Sequence, residues 1–256
     1  MSARVTAGGR QNAPSLRATA AGKRNPVSVS VIVPVFNEAS TIDSLQDHLD
    51  CIDYIGECCE VIFVDGGSTD GTRDRVREPY RLIDQEGRGR GGALNTGARV
   101  AQGDVFFFLH CDSVLPEGAF REIEDVLSRT RVGSFGIRFN KLTPVLLLCQ
   151  GMSNLRVRFR HISFGDQGLF IERDLFFEAG MFPDMPLMED FQFALNLKRL
   201  GEPLGMTRHR IRTSARRFPK GEINRLRTWV DMARLRSRYL KGSSPEELAR
   251  MYGNVR

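Results

Sequence analysis

Short apolar stretches alternate with stretches of mixed polarity along the first half of the chain. Three apolar stretches are typical of buried strands: residues 27–36, 60–65 and 104–109, which read VSVSVIVPVF, EVIFVD and DVFFFL. Between them the pattern indicates helices over residues 40–49 and 93–101. Strands separated by helices predict βαβ units and a mainly parallel sheet flanked by helices.

The second half of the chain has a less regular pattern, with strands and helices that still alternate. We expect strands at 133–139, 168–171 and 204–212, and helices at 142–160 and 188–200. Residues 219–256 are expected to form a basic helical segment. Its apolar residues fall at helical spacing with Arg on the opposite face: Ile223, Leu226, Trp229, Val230 and Ala233.

Composition allows one full hydrophobic core within the 256 residues, of which 41% are hydrophobic and 27% charged. No apolar run approaches the roughly 20 residues that cross a bilayer. The five Cys form no C-x-x-C pair, and an odd number argues against a disulfide framework. A reducing compartment, and hence a cytoplasmic location, is the expectation.

Positive charge is concentrated at both ends of the chain, which has a net charge of +6. Residues 1–26 contain five Lys or Arg and no acid, as in a disordered basic tail or in a transit peptide for organelle import. Residues 205–241 contain twelve Lys or Arg against two acids. A helix at 222–240 either packs on the body through its apolar stripe or lies on the inner face of an anionic membrane.

Carboxylates follow each of the three predicted parallel strands: Glu38, Asp65 and Asp112. The carboxyl ends of parallel strands meet at one edge of a sheet, where open α/β proteins bind their ligands. Any one of these acids could be an ordinary helix cap or turn residue. Three together favour a nucleotide site.

A glycine-rich loop at 87–92, reading GRGRGG, precedes the helix that carries Asn95. Its glycines allow close approach of the backbone, and Arg88 and Arg90 suit a diphosphate. The same composition occurs in disordered RNA-binding segments. The first strand ends in PVFNE and not in G-x-G-x-x-G, and no P-loop motif occurs, which excludes a Rossmann cofactor site and a P-loop NTPase.

Four segments together resemble the successive motifs of family 2 glycosyltransferases: SVIVPVFNEASTI, VIFVDGGSTDGT, GALNTGARVAQGDVFFFLHCDS and GMFPDMPLMEDFQFALNLKRLG. The resemblance covers roughly residues 28–218. The shorter sequences VDGGSTDGT, FLHCDS, GDQGLFI, LMED and TSARRF resemble a narrower branch, which is labelled as arsenosugar-biosynthesis glycosyltransferases.

The resemblance implies a GT-A fold over residues 27–218, with a nucleotide-binding half at 27–115 and an acceptor half at 116–218. It implies that Asp112 binds Mg²⁺ or Mn²⁺ on the donor diphosphate, that Asp190 is the general base, and that Glu189 orients the acceptor. With the residues above, the expected nucleotide-sugar site comprises Pro34, Val35, Phe36, Glu38, Asp65, Gly67, Arg88, Arg90, Asn95, His110 and Asp112.

Two positions depart from the family pattern. His110 stands in place of the first acid of the Asp-x-Asp motif, where it either binds Mn²⁺ or donates a hydrogen bond to the ribose or to a group next to the metal ligands. Gly66 stands where many members carry an acid that reads uracil, which leaves UDP and GDP both open. Arg216 and Arg217 either close over the diphosphate or belong to a solvated basic face.

The predicted function is an inverting, metal-assisted transfer of a sugar from a nucleotide-diphosphate donor to the hydroxyl of a small or lipid-linked acceptor. A sugar-phosphate nucleotidyltransferase is one alternative, but it requires a glycine-rich loop directly after the first strand. A non-catalytic nucleotide- or nucleic-acid-binding protein is another. Carboxylates lining a groove repel phosphate, and we therefore expect no nucleic-acid partner.

Overall fold

The computed structural model describes residues 27–52, 59–87, 89–216 and 218–253. Its strands are β1 (Val29–Val35), β2 (Cys59–Asp65), β3 (Arg81–Asp84), β4 (Val105–Phe108), β5 (Val132–Phe139), β6 (Leu169–Glu172) and β7 (Leu204–Thr213). Its helices are α1 (Ile42–Asp50), α2 (Gly89–Val100), α3 (Ala119–Leu127), α4 (Pro144–Arg160), α5 (Arg173–Glu178), α6 (Glu189–Arg199), α7 (Glu222–Leu240) and α8 (Pro245–Gly253). The expected basic tail at 1–26 lies outside the described residues.

The seven strands form one sheet in the order β3-β2-β1-β4-β6-β5-β7. Strands β3, β2, β1 and β4 are parallel, whereas β6 is antiparallel to both of its neighbours. Strand β3 lies next to β2 on the side away from β1. Strand β4 lies next to β1 on the side away from β2. The order therefore reverses between β1 and β4, which places a crevice at their carboxyl ends.

Both faces of the central strands are buried, which explains why these strands are mostly apolar. In β1 the side chains of Val31 and Val33 pack into one core cluster, and Ile32 packs into the other. Phe107 and Phe106 of β4 divide in the same way. The predicted α/β fold with a mainly parallel sheet is confirmed, as is the C-terminal helical segment, which contains two helices.

Three elements are not anticipated by the sequence pattern: β3, α3 and α5. The glycine-rich loop is also shorter than predicted, because α2 begins at Gly89. Its glycines serve close packing: a Cβ at Gly91 would lie 3.2 Å from Cγ of Glu189, and one at Gly92 would lie 3.1 Å from the carbonyl carbon of Gly87. The second part of the predicted loop is thus the tightly packed first turn of α2.

Gly97 fixes how closely α2 approaches the sheet. A Cβ there would overlap Cγ2 of Ile32 and lie 3.1 Å from Cγ2 of Val64. We expect Gly97→Ala to lower the free energy of unfolding by about 1–3 kcal/mol through overpacking. Gly151 on α4 faces open space, so Gly151→Ala should stabilise by about 0.5–1 kcal/mol. Urea unfolding measures both, and equal shifts would contradict this packing.

Candidate active site

The loops that follow β1 and β2 interlock at the carboxyl edge of the sheet. The backbone N–H of Asn37 donates to Oγ of Ser68 at 2.9 Å, and Oδ1 of Asn37 accepts from the backbone N–H of Thr69 at 2.9 Å. The backbone N–H of Glu38 donates to Oγ1 of Thr72 at 2.8 Å. These reciprocal bonds hold the two loops as one unit beside the crevice.

Asp65, at the end of β2, organises this unit. Its buried carboxylate accepts hydrogen bonds from the backbone N–H of Gly67 and of Ser68, both at 3.0 Å, and from Nη1 of Arg73 at 2.9 Å. Burial raises the pKa of Asp65, but the hydrogen bonds from Ser68 and Arg73 outweigh it and the pKa is lowered. Asp65 therefore stays ionised and fixes the turn that contains Gly67.

Gly66 lies between Phe36 and Gln85. A Cβ at Gly66 would come within 3.0 Å of Oε1 of Gln85 and 3.5 Å of Cδ2 of Phe36. The Phe36 ring is 61% exposed at the mouth of this space. The side chain of Gln85 thus occupies the region that an acid at Gly66 would enter. Sequence reasoning missed Gln85 because it follows β3, which the pattern did not reveal.

Across the crevice, Arg216 joins the acids that follow β1 and β4. Its Nη1 and Nη2 donate to the two carboxylate oxygens of Glu38 at 2.9 and 2.6 Å, and its Nε lies 3.1 Å from Oδ2 of Asp112. Burial raises the pKa of Glu38, but hydrogen bonds from Arg216 and Thr41 lower it below its usual value. The carboxylates of Glu38 and Asp112 therefore share one cation at the switch point of the sheet.

The predicted acid pair Glu189 and Asp190 opens α6, directly after Met188, whose φ is 73°. Arg90, in the first turn of α2, binds both: its Nε donates to Oε1 of Glu189 and its Nη2 to Oδ2 of Asp190, each at 2.7 Å. Nη1 of Arg90 lies 3.4 Å from Nε2 of His110. Arg90 therefore links the acid pair to the residues that follow β4.

Asp190 has hydrogen-bond donors on both of its carboxylate oxygens. Besides Arg90, the backbone N–H of Gly165 donates to Oδ2 at 3.0 Å and that of Phe191 donates to Oδ1 at 2.7 Å. Burial raises the pKa of Asp190, but the charge of Arg90 and the backbone hydrogen bonds from Gly165 and Phe191 outweigh burial. The pKa of Asp190 is therefore lowered below its usual value. Its side chain remains 20% exposed.

Residues 30–169, more than half of the chain, match the family model described as "Glycosyl transferase family 2". The chain belongs to this family. The chain matches less than half the length of each of the two curated relatives described next. It is 37% identical over 91 residues to the glycosyltransferase AglE of Haloferax volcanii, which is 33% of this chain and 30% of AglE. It is 28% identical over 134 residues to a dolichyl-phosphate beta-glucosyltransferase of Dictyostelium discoideum, 44% of this chain and 40% of that protein.

Solved structures show that this family 2 member has the GT-A fold. A mannosyltransferase from Pyrobaculum calidifontis in complex with GDP-Man and Mn²⁺ superposes with a TM-score of 0.67 at 23% identity, covering 91% of this chain and 69% of that one. A glucosyl-3-phosphoglycerate synthase from Mycobacterium tuberculosis with Mn²⁺ and UDP gives 0.55 at 19% identity, covering 79% and 76%.

The carboxylates at the switch point suit a divalent cation whose remaining ligands would be supplied by the substrate and by water. The described residues include no group of three His, Cys, Asp or Glu side chains placed to hold a metal by themselves. Mg²⁺ and Mn²⁺ are commonly bound through one or two carboxylates, with substrate phosphates and water as the other ligands. Asp112 supplies such a carboxylate, and the guanidinium of Arg216 beside it shows that the position accepts positive charge.

Three residues of the predicted site, Asn95, Arg90 and Glu189, bind other parts of the protein. Asn95 is 7% exposed, and its side-chain amide exchanges two hydrogen bonds with the backbone of Phe182. Arg90 contacts the acid pair, as described above, and Glu189 is 5% exposed against it. Arg88 lies outside the described residues. The crevice itself therefore brings together the residues after β1, β2 and β4, and Arg90 connects Asp190 to His110 at the end of β4.

Proposed function

We propose that the chain transfers a sugar, with inversion at the anomeric carbon, from a UDP- or GDP-linked donor to an acceptor hydroxyl. The observation that carries the proposal is the position of Arg216 between Glu38 and Asp112, because it identifies a cation-binding point at the switch point of the sheet. The neighbours whose titles name GDP-Man or UDP together with Mn²⁺ support the same donor class.

The donor site is assigned to the interlocked loops and to Asp112. The nucleoside would lie against Val35 and Phe36, and Gln85 in place of an acid at Gly66 would contact the base. An amide both donates and accepts hydrogen bonds, so it can pair with uracil or with guanine. Asp112 would hold the divalent cation together with the diphosphate, and the bound ion neutralises charge that develops on the leaving diphosphate.

The chain's own residues act on both sides of the bond that breaks. For Asp112 to hold a cation, Arg216 would have to release it, and the freed guanidinium would then bind diphosphate oxygens. Asp190, which its lowered pKa keeps ionised, would accept the proton of the attacking hydroxyl. Glu189 is assigned a positioning role, since its carboxylate holds Arg90, which in turn holds Asp190. Attack from the face opposite the diphosphate inverts the anomeric configuration.

The competing functions explain the geometry less well. A nucleotidyltransferase would need a glycine-rich loop after β1, and the loop there reads PVFNE. A nucleic-acid-binding protein would not benefit from ionised carboxylates at the centre of its groove. Arg90, which the basic-loop interpretation would place on phosphate, is bound to two acids.

Nucleotide binding tests the proposal without knowledge of the acceptor. We expect UDP or GDP to raise the melting temperature of the full chain when Mn²⁺ is present, because a ligand at 100 times its Kd stabilises by about 2.7 kcal/mol. The nucleotide without metal, and ADP with metal, are the controls. If neither UDP nor GDP shifts the transition in the presence of Mn²⁺ or Mg²⁺, the proposed donor site is wrong.

A further inference from the structure

Half of the exposed large apolar side chains in the described part of the chain lie on α4 and just before it. Twelve such residues are at least 39% exposed, and six of them fall within 18 consecutive positions. These six form what we call the α4 apolar face: Leu142, Leu147, Leu148, Met152, Leu155 and Phe159. Single exposed apolar residues are ordinary, whereas a contiguous apolar patch marks an interaction surface.

The opposite side of α4 is fixed to the sheet. Asn154 accepts a hydrogen bond from the backbone N–H of Ile137 at 2.8 Å and donates to its carbonyl at 3.1 Å. Gln150 accepts from the backbone N–H of Phe139 at 3.1 Å. Because both polar side chains bind β5, the helix cannot roll to bury the α4 apolar face, whose five members within the helix span about 140° of its circumference.

Basic side chains predominate along this segment, although the carboxylate of Glu222 accepts a hydrogen bond from the backbone N–H of Val145 at the start of α4. Residues 138–160 contain five basic residues and no acid: Arg138, Lys141, Arg156, Arg158 and Arg160. A second copy of the chain seated on this face by twofold symmetry would bring two such clusters together. The N-terminal residues 1–26, with five basic residues and no acid, do not complement the face either. The matching partner is apolar with an anionic border.

We propose that the α4 apolar face docks on a bilayer that contains anionic lipid. The helix lies in the plane of the interface, with Leu148, Leu155 and Phe159 among the acyl chains and the flanking Arg158 at the phosphates. The helix α7 is less suited to this role, because Trp229 and Leu235 pack on the body of the protein. The docking is independent of glycosyl transfer.

Vesicle flotation of the full chain tests this inference. We expect binding to phosphatidylcholine vesicles that contain phosphatidylglycerol, weaker binding to phosphatidylcholine alone, and a decrease with salt. The double variant Leu148→Ser with Phe159→Ser should bind about tenfold less, because two inserted side chains are lost. Leu200→Ser with Leu240→Ser is the matched control, since these residues are 44% and 63% exposed elsewhere.

The melting temperature of each variant shows that the comparison is between folded proteins. Equal vesicle binding by the Leu148/Phe159 variant and the wild type would overturn the proposal, as would failure of the wild type to bind. Sedimentation velocity without lipid distinguishes a protein partner: self-association that the same two substitutions abolish would assign the face to a second copy instead. Nucleotide-dependent stabilisation should be the same in all variants, so failure here is separable from failure of the proposed function.

Discussion

Asp190→Asn is expected to lower kcat by about 10²–10⁴-fold while leaving nucleotide affinity unchanged. The carboxylate is kept ionised by Arg90 and by two backbone N–H groups, so it is ready to accept a proton at any pH above its lowered pKa. Asparagine retains the shape and one accepting oxygen but cannot take the proton. Steady-state transfer kinetics and calorimetric titration of the nucleotide measure the two effects.

Glu189→Gln is the control for this substitution, because it also removes one carboxylate partner of Arg90. The positioning role predicts a smaller loss of kcat than Asp190→Asn gives. If Glu189→Gln proves as damaging with the protein folded, the acid pair acts as one electrostatic unit and Asp190 has no separate role as base. Retained turnover in Asp190→Asn would remove the assignment directly.

Asp112→Asn is expected to weaken metal-dependent nucleotide binding by about a hundredfold, which corresponds to about 2.7 kcal/mol. Under the proposed function this residue would supply the charged ligand of a cation whose other ligands would come from the donor and from water, so its loss would leave little to hold the ion. Binding of the nucleotide without metal should change little. Titration with and without Mn²⁺ therefore isolates the contribution of the cation.

Asp84→Asn is the matched control for Asp112→Asn. Asp84 also ends a parallel strand at the carboxyl edge, but it lies on the edge strand β3, three strands away from β4. At about 4.8 Å per strand this is roughly 14 Å. Its side chain is 77% exposed and pairs with Arg73. An equal loss of metal-dependent binding in Asp84→Asn would mean that general acidity of the edge, and not Asp112, is responsible.

The central strands could be predicted because they are buried on both faces, which makes most of their positions apolar and marks their ends sharply. Strand β3 escaped prediction for the opposite reason. It has four residues, reads RLID, and lies half exposed at the edge of the sheet. The sequence analysis identified the missing acid at Gly66 but not the neighbouring side chain of Gln85, which follows β3 and lies where an acid at Gly66 would extend.

The ion pairs between residues far apart in the sequence also could not be predicted, because the local hydrophobic pattern carries no information on them. Arg216 and Glu38 are 178 positions apart, and Arg90 and Asp190 are 100 apart. Sequence spacing indicated basic residues near a nucleotide site in both cases. It did not reveal that Arg90 belongs to the acid pair, because that depends on α2 starting at Gly89 and on glycines that let it approach α6.

Release of nucleoside diphosphate from UDP- and GDP-linked sugars tests the account most directly, since water can slowly replace the acceptor. The full chain should release one of the two nucleotides in the presence of Mn²⁺. EDTA and Asp112→Asn should each abolish the release, whereas Asp84→Asn should not. Release that is absent for both donor classes, or that continues at the wild-type rate in Asp112→Asn, would contradict the assignment of the strand-end carboxylates to a donor-diphosphate site.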